Sequence, residues 1–168
     1  MKDEKFLIVF AVFDDNTQQK LKGLQDKILE NNNSKGKQTM NIPFHISLGS
    51  FPVNDELKLQ DEICKVCDTC ESFDIMLEKI NSFGSSVVFV EPSVNDNLIK
   101  LHKQFDNNFA DGFKWHAHTT LFVDDSEENV KKAKKVAIQN FTPVKASIKE
   151  LWLGEFFPTR IIEKRNLK

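Results

Sequence analysis

The chain has 168 residues, the length of one domain or of two small lobes sharing a core. Twenty-three Lys and Arg against 25 Asp and Glu leave a net charge of −2. That excludes a strongly basic protein holding long duplex nucleic acid by charge alone, but not one that takes a small or terminal nucleotide. With fifteen Phe, two Trp and no Tyr, any acid, base or nucleophile must be a group other than a phenol.

Phe6–Phe13 is an apolar run of eight residues, too short for a membrane span and followed by no small-residue cleavage site. It predicts a buried first strand, and the lack of an export signal predicts a cytoplasmic protein. Asp14 or Asn16 can cap a helix running to about Asn31, and 31–38 (NNNSKGKQ) is a polar loop. A strand is expected over Phe44–Phe51, then a turn over Pro52–Asp55 and an amphipathic helix carrying Cys64, Cys67 and Cys70. The C-x2-C-x2-C spacing is compatible with a metal half-site, but there is no fourth Cys, and ordinary helix residues are the expected reading. Phe73–Ile80 and Val87–Val90 are expected as strands joined around Gly84, and Asn95–Phe109 as a helix in which His102 lies at the surface. A strand over Trp115–Val123, a Lys-rich helix over Ser126–Gln139 and a final strand over Ser147–Phe157 complete the series.

Within this order lies an internal repeat. HISLGSF leads through a turn and a helix to MLEKINSFG, and HTTLFVDD leads the same way to SIKELWLGEF. His45 to Ile80 spans 35 residues and His118 to Leu151 spans 33. Two such units predict an α+β protein, a single bilobal domain over 1–168, whose pseudo-symmetric lobes present antiparallel sheets to a central cleft. Each unit carries one His followed two positions later by a hydroxyl, His45 with Ser47 and His118 with Thr120. On a strand, i and i+2 point the same way, so each unit offers an imidazole and a hydroxyl to the cleft.

The stretches FHISLGSF and AHTTLFV resemble the paired H-x-[ST] signature of the two-histidine (2H) phosphoesterases. That superfamily includes the bacterial proteins called 2′-5′ RNA ligases and the plant and fungal cyclic nucleotide phosphodiesterases. The resemblance covers most of the chain and implies a bilobal fold with a central cleft and no metal requirement. It further implies that His45 and His118 are the catalytic acid–base pair, with Ser47 and Thr120 contacting phosphate. The residues make chemical sense of this by themselves. An imidazole titrates near neutrality, so one neutral and one protonated His can take a proton from the attacking oxygen and give one to the leaving oxygen. Two hydroxyls, with backbone N–H groups near Gly49, can bind the non-bridging oxygens.

The expected function is a metal-independent phosphodiesterase acting on 2′,3′-cyclic phosphate RNA ends, 2′-5′-linked oligonucleotides or small cyclic nucleotides. No cofactor and no membrane are expected, and the protein is expected to be a monomer. One rival is a binding module that holds an RNA end or nucleotide without turnover. Another is a zinc hydrolase, since His116 and His118 form an H-x-H pair that His45 could complete. In the favoured reading His116 orients a neighbour or touches substrate. Trp152 and Phe156 are candidates for the cleft wall, and Lys114 and Arg160 for phosphate contacts.

Overall fold

Phe, Ile and Val, all strand formers, fill six of the eight positions of the first strand, β1 (Phe6–Phe13), and the structure explains why the run is apolar throughout. Leu7, Val9, Ala11 and Phe13 face the main core. Phe10 and Val12 face a second apolar cluster with Phe156 on the opposite side of the sheet. The computed structural model describes residues 4–105 and 114–168.

After β1 come α1 (Asp15–Glu30), β2 (His45–Pro52), a 3-10 turn (Val53–Asp55), α2 (Glu56–Thr69), β3 (Phe73–Phe83) and β4 (Val87–Pro92). Then follow α3 (Asp96–Lys103), β5 (Thr119–Val123), α4 (Glu127–Asn140), β6 (Val144–Phe156) and β7 (Arg160–Asn166). Three of the helices start on side-chain caps: Asp14 accepts from the Thr17 N–H, Asn95 from Leu98 and Ser126 from Asn129. Each helix buries one stripe, as α1 does with Leu21, Leu24 and Ile28 and α4 with Val130, Ala133 and Ala137. Among the described residues no helix is long and apolar enough to cross a membrane.

The fold is α+β. The strands form one antiparallel sheet in the order β2-β1-β6-β3-β4-β5, with β7 added beside β6. The order is a palindrome of two units, β1-α1-β2-α2-β3 and β4-α3-β5-α4-β6. In each, the last strand pairs with the first strand of the other unit, β3 with β4 and β6 with β1. The two antiparallel halves meet where β3 lies along the start of β6, Phe73 opposite Ile148 and Leu77 opposite Val144. The H-x-[ST] strands, β2 and β5, are the two ends of this order, and the sheet curls until they touch.

Four expectations need correction. The strand over Ser147–Phe157 is not the last: β6 begins earlier, at Val144, and β7 follows it, because the far half of β6 offers an edge that β3 leaves unpaired. The strand expected over Trp115–Val123 is regular only from Thr119; before it the Trp115 indole bonds to the Ser47 carbonyl and the His116 carbonyl to the His118 ring. The helix from Asn95 ends at Lys103, and its expected continuation over 106–109 lies outside the described residues. His102 is not at the surface but 9% exposed. The cysteines of α2 have separate surroundings: Cys67 is buried near the Arg165 carbonyl, Cys64 lies beside Asp68, and Cys70 ends the helix.

Candidate active site

The two H-x-[ST]-L strands are shaped by the same irregularity. Along β2, Val9 faces Gly49 and Phe10 faces Ser47, so Leu48 is an extra residue. Along β5, Val88 faces Phe122 and Phe89 faces Thr120, so Leu121 is extra. These are β-bulges at equivalent places in the repeat. Each turns its leucine fully inward and leaves His45 with Ser47, or Thr120, on the half-buried face.

The bulges free backbone carbonyls on the outer edges of β2 and β5, and the partner unit satisfies them. Gln25 of α1 donates from Nε2 to the Leu121 carbonyl at 2.8 Å. His102 of α3 donates from Nδ1 to the Leu48 carbonyl at 2.9 Å. The Trp115 indole N–H donates to the Ser47 carbonyl at 3.0 Å, with its ring stacked on His102 at 3.8 Å. On the other edge, the Lys37 N–H donates to the Val123 carbonyl and the Val123 N–H donates to Gln38 Oε1. Gln18 clamps the entry to β2, donating to the Phe44 carbonyl and accepting from the Phe44 N–H. Each unit thus holds the other's motif strand by bonds to groups on its outer edge.

The imidazoles are oriented in matching ways. Nδ1 of His45 lies 2.8 Å from the Pro43 carbonyl oxygen, and Nδ1 of His118 lies 2.7 Å from that of His116. A carbonyl can only accept, so Nδ1 carries the proton in both rings and Nε2 is the atom left for proton transfer. Phe10 packs on His45 at 4.6 Å between centroids, and Phe89 on His118 at 5.3 Å. Burial holds His45 down at about 4, the bond to the Pro43 carbonyl opposing it and nearby His118 adding to it. Burial also lowers His118, against the bond to the His116 carbonyl. Neither the Ser47 nor the Thr120 hydroxyl has a hydrogen-bond partner among the described residues.

The other candidates divide. His116 sits beside His118, but its Nε2 is 2.8 Å from Glu91 Oε1, and Lys79 shares that carboxylate at 3.3 Å. Desolvation works against the Glu91 carboxylate, yet Lys79 and His116 hold it below its ordinary range. Among the described residues no three His, Cys, Asp or Glu side chains converge as a metal-binding group. Phe156 and Trp152 lie on the cleft side with Phe10, and Lys164 of β7 sits over the Trp152 ring at 4.4 Å. Arg160 is held by Glu56 and Glu155 at the start of β7, away from the imidazoles. Lys114 is exposed. Gly49 is buried where a Cβ would lie 2.3 Å from the Phe105 carbonyl oxygen, so its role is close packing.

Sequence reasoning missed Phe10, Phe89, Glu91, Gln18, Gln25 and His102. Only the two phenylalanines carried a signal, an aromatic at matching positions in the first strand of each unit.

Beside these residues opens a cavity of about 560 Å³ with His45 and Thr120 in its wall. Among curated proteins no sequence matches the chain. Solved structures share its fold at low identity. A phosphoesterase is 15% identical with a TM-score of 0.68, covering 98% of this chain and 99% of its own. Escherichia coli LigT in complex with 3′-AMP is 15% identical with a TM-score of 0.67, covering 99% of both chains. A protein of Thermus thermophilus is 13% identical with a TM-score of 0.64, covering 96% of this chain and 97% of its own. The model of the 2′-5′ RNA ligase superfamily matches residues 13–156, which include both H-x-[ST] strands and everything between them, and the chain belongs to that superfamily of 2H phosphoesterases.

Proposed function

We propose that the protein is a metal-independent phosphodiesterase that opens 2′,3′-cyclic phosphates at RNA ends, 2′-5′ linkages or small cyclic nucleotides, with His45 and His118 as its acid–base pair. The observation that carries this reading is the pair of imidazoles, each with Nδ1 committed to the carbonyl two residues earlier and Nε2 left over. A structural histidine uses both nitrogens or hides them; two rings prepared alike at the starts of facing strands fit a reaction that moves two protons. In that reaction one Nε2 takes a proton from water as its oxygen bonds to phosphorus. The other, protonated, gives its proton to the ribose oxygen as that P–O bond breaks, and Ser47 and Thr120 donate to the non-bridging oxygens. Escherichia coli LigT has been solved with 3′-AMP, ATP, NADP+ and phosphate, ligands of the chemistry expected here.

The test is a panel of 2′,3′-cyclic nucleotides, 2′-5′ and 3′-5′ dinucleotides and cyclic dinucleotides, each with and without chelator. Turnover unaffected by chelator is expected, with His45→Ala and His118→Ala each losing about 10²–10⁴ in rate. Near-wild-type turnover by either variant would overturn the mechanism. Activity lost to a chelator and restored by zinc would transfer the site to His116 and His118 as metal ligands.

A further inference from the structure

A reaction that moves two protons between His45 and His118 leaves the third imidazole, His116, without a role. Its ring shares an aromatic seat with that of His118. Phe83 meets His116 and His118 edge-on at 5.3 and 4.8 Å between centroids, and Phe89 meets them at 5.7 and 5.3 Å. The His116 Nε2 lies 2.8 Å from Glu91 Oε1, and because a carboxylate only accepts, that nitrogen carries the proton. Lys79 stands opposite Glu91 in the β3–β4 ladder and holds its other oxygen at 3.3 Å.

The two units fix the carbonyl that orients their histidine by different means. In the first unit it belongs to Pro43, whose own ring fixes φ. There β2 begins at His45 itself, paired with Val12 of an apolar cluster. In the second unit the carbonyl belongs to His116, and β5 begins only at Thr119. The β4–β5 ladder runs as far as Val90 and Thr119, so Glu91 stands one place beyond its end. Backbone outside a ladder can turn its carbonyl away from the His118 Nδ1. Here the side chain of the same residue ties that backbone to β4 through Glu91.

We propose that Lys79, Glu91 and His116 are positioning residues for His118: the ion-paired carboxylate of Glu91 holds the His116 ring, and the backbone carbonyl of His116 thereby keeps the His118 proton on Nδ1. The inference rests on the phosphodiesterase reading only for the use made of the His118 Nε2. His116 itself then moves no proton of the reaction and touches no substrate. It sets the fraction of the enzyme in which His118 presents Nε2 to the phosphate. A ring released from the carbonyl exchanges between its two neutral tautomers and turns about its side-chain bonds, and only one of those states serves. Losing the device therefore lowers kcat and spares substrate binding.

The experiment reads the ring and the rate separately on the full chain. Imidazole ¹H–¹⁵N correlation spectra, recorded well above the ordinary His pKa of about 6.5, report which nitrogen carries the proton. Wild type should show the Nδ1–H form for both His45 and His118. His116→Ala and Glu91→Ala should move His118 to a mixture of tautomers and leave His45 as it is. His116→Gln and Glu91→Gln, which keep a donor and an acceptor, should hold His118 largely in the wild-type form. In turnover of 2′,3′-cyclic nucleotides, each Ala variant should lose about tenfold to a hundredfold in kcat with KM within about threefold. The double variant His116→Ala/Glu91→Ala should lose no more than either single one, because the two side chains act as a unit. The His116 and Glu91 side chains are 47% and 19% exposed, so His116→Ala carries the test alone should Glu91→Ala fail to fold. An unchanged His118 tautomer in His116→Ala overturns the device. A raised KM with kcat kept gives His116 a direct contact with substrate and overturns it as well. The expected spectra in a protein that turns over no phosphodiester keep the device and instead overturn the phosphodiesterase reading.

Discussion

Gln25 and His102 are polar, 6% and 9% exposed, and belong to different helices of different units, yet they bond to the same feature. Each donates to the carbonyl of the extra leucine in the other unit's motif strand. A bulge leaves a backbone carbonyl without its ladder partner, and Leu48 and Leu121 are fully buried, so water cannot take over. Replacing the donor with an apolar side chain of similar size strands that carbonyl. Gln25→Leu and His102→Phe should therefore each destabilise the protein by about 1–3 kcal/mol in urea unfolding. His102→Phe keeps a ring against Trp115, which separates the lost hydrogen bond from lost packing. A loss below about 0.5 kcal/mol in both variants would mean that the bulge carbonyls find other partners.

At the scale of elements, two glycines that look alike in the sequence have opposite roles. Gly23 lies inside α1, where an added Cβ would have no atom within 4 Å. Gly23→Ala should stabilise the helix by about 0.5–1 kcal/mol. Gly49 lies in β2, where the same Cβ would meet the Phe105 carbonyl oxygen at 2.3 Å and the Phe51 ring at 2.9 Å. Gly49→Ala should cost about 1–3 kcal/mol and move β2, lowering activity as well. The two melting temperatures measured side by side, one up and one down, check both. Elements legible in the sequence were those whose signal is local: the apolar run of β1, the cap at Asp14, the helix starts near Asn95 and Ser126, and the parity that puts His45 and Ser47 on one face. The partners of the site were not legible, because Gln25 reaches Leu121 across 96 residues and His102 reaches Leu48 across 54. Nor was β7. Its two isoleucines are adjacent and then followed by charge, so it has no strand period; it forms because β6 presents an edge.

At the scale of the whole molecule, the exchange of last strands and of edge-capping side chains ties the two halves together, with the imidazoles partly buried near where β2 and β5 touch. Burial sets how stability responds to acid. The folded chain holds His45 at about 4, and the unfolded chain returns it to 6.5. Above 6.5 the ring is neutral in both states and stability is independent of it. As pH falls from 6.5 toward 4, the unfolded chain takes up a proton that the folded chain refuses, so stability declines, and below 4 the decline stops. His118 is also lowered and acts with the same sign. The carboxylates of Asp14, Asp124 and Glu155 are lowered from ordinary values of 3.8 to 4.5, so most of their effect comes at more acid pH. Urea unfolding midpoints from pH 7 to pH 5 should therefore fall in wild type, with a slope of at most about 1.4 kcal/mol per pH unit for each proton taken up. His45→Gln should show a shallower fall, and a phosphate ligand, which favours the imidazolium in the folded state, should flatten the wild-type slope in the same window. The rate profile must follow if the same rings do the chemistry. For the free enzyme kcat/KM should rise through about pH 4 and fall again below 6.5, while kcat, which reports the phosphate-bound rings, should peak at higher pH. Equal stability slopes in wild type and His45→Gln would mean that the ring is solvated in solution, and the burial of His45 would be wrong.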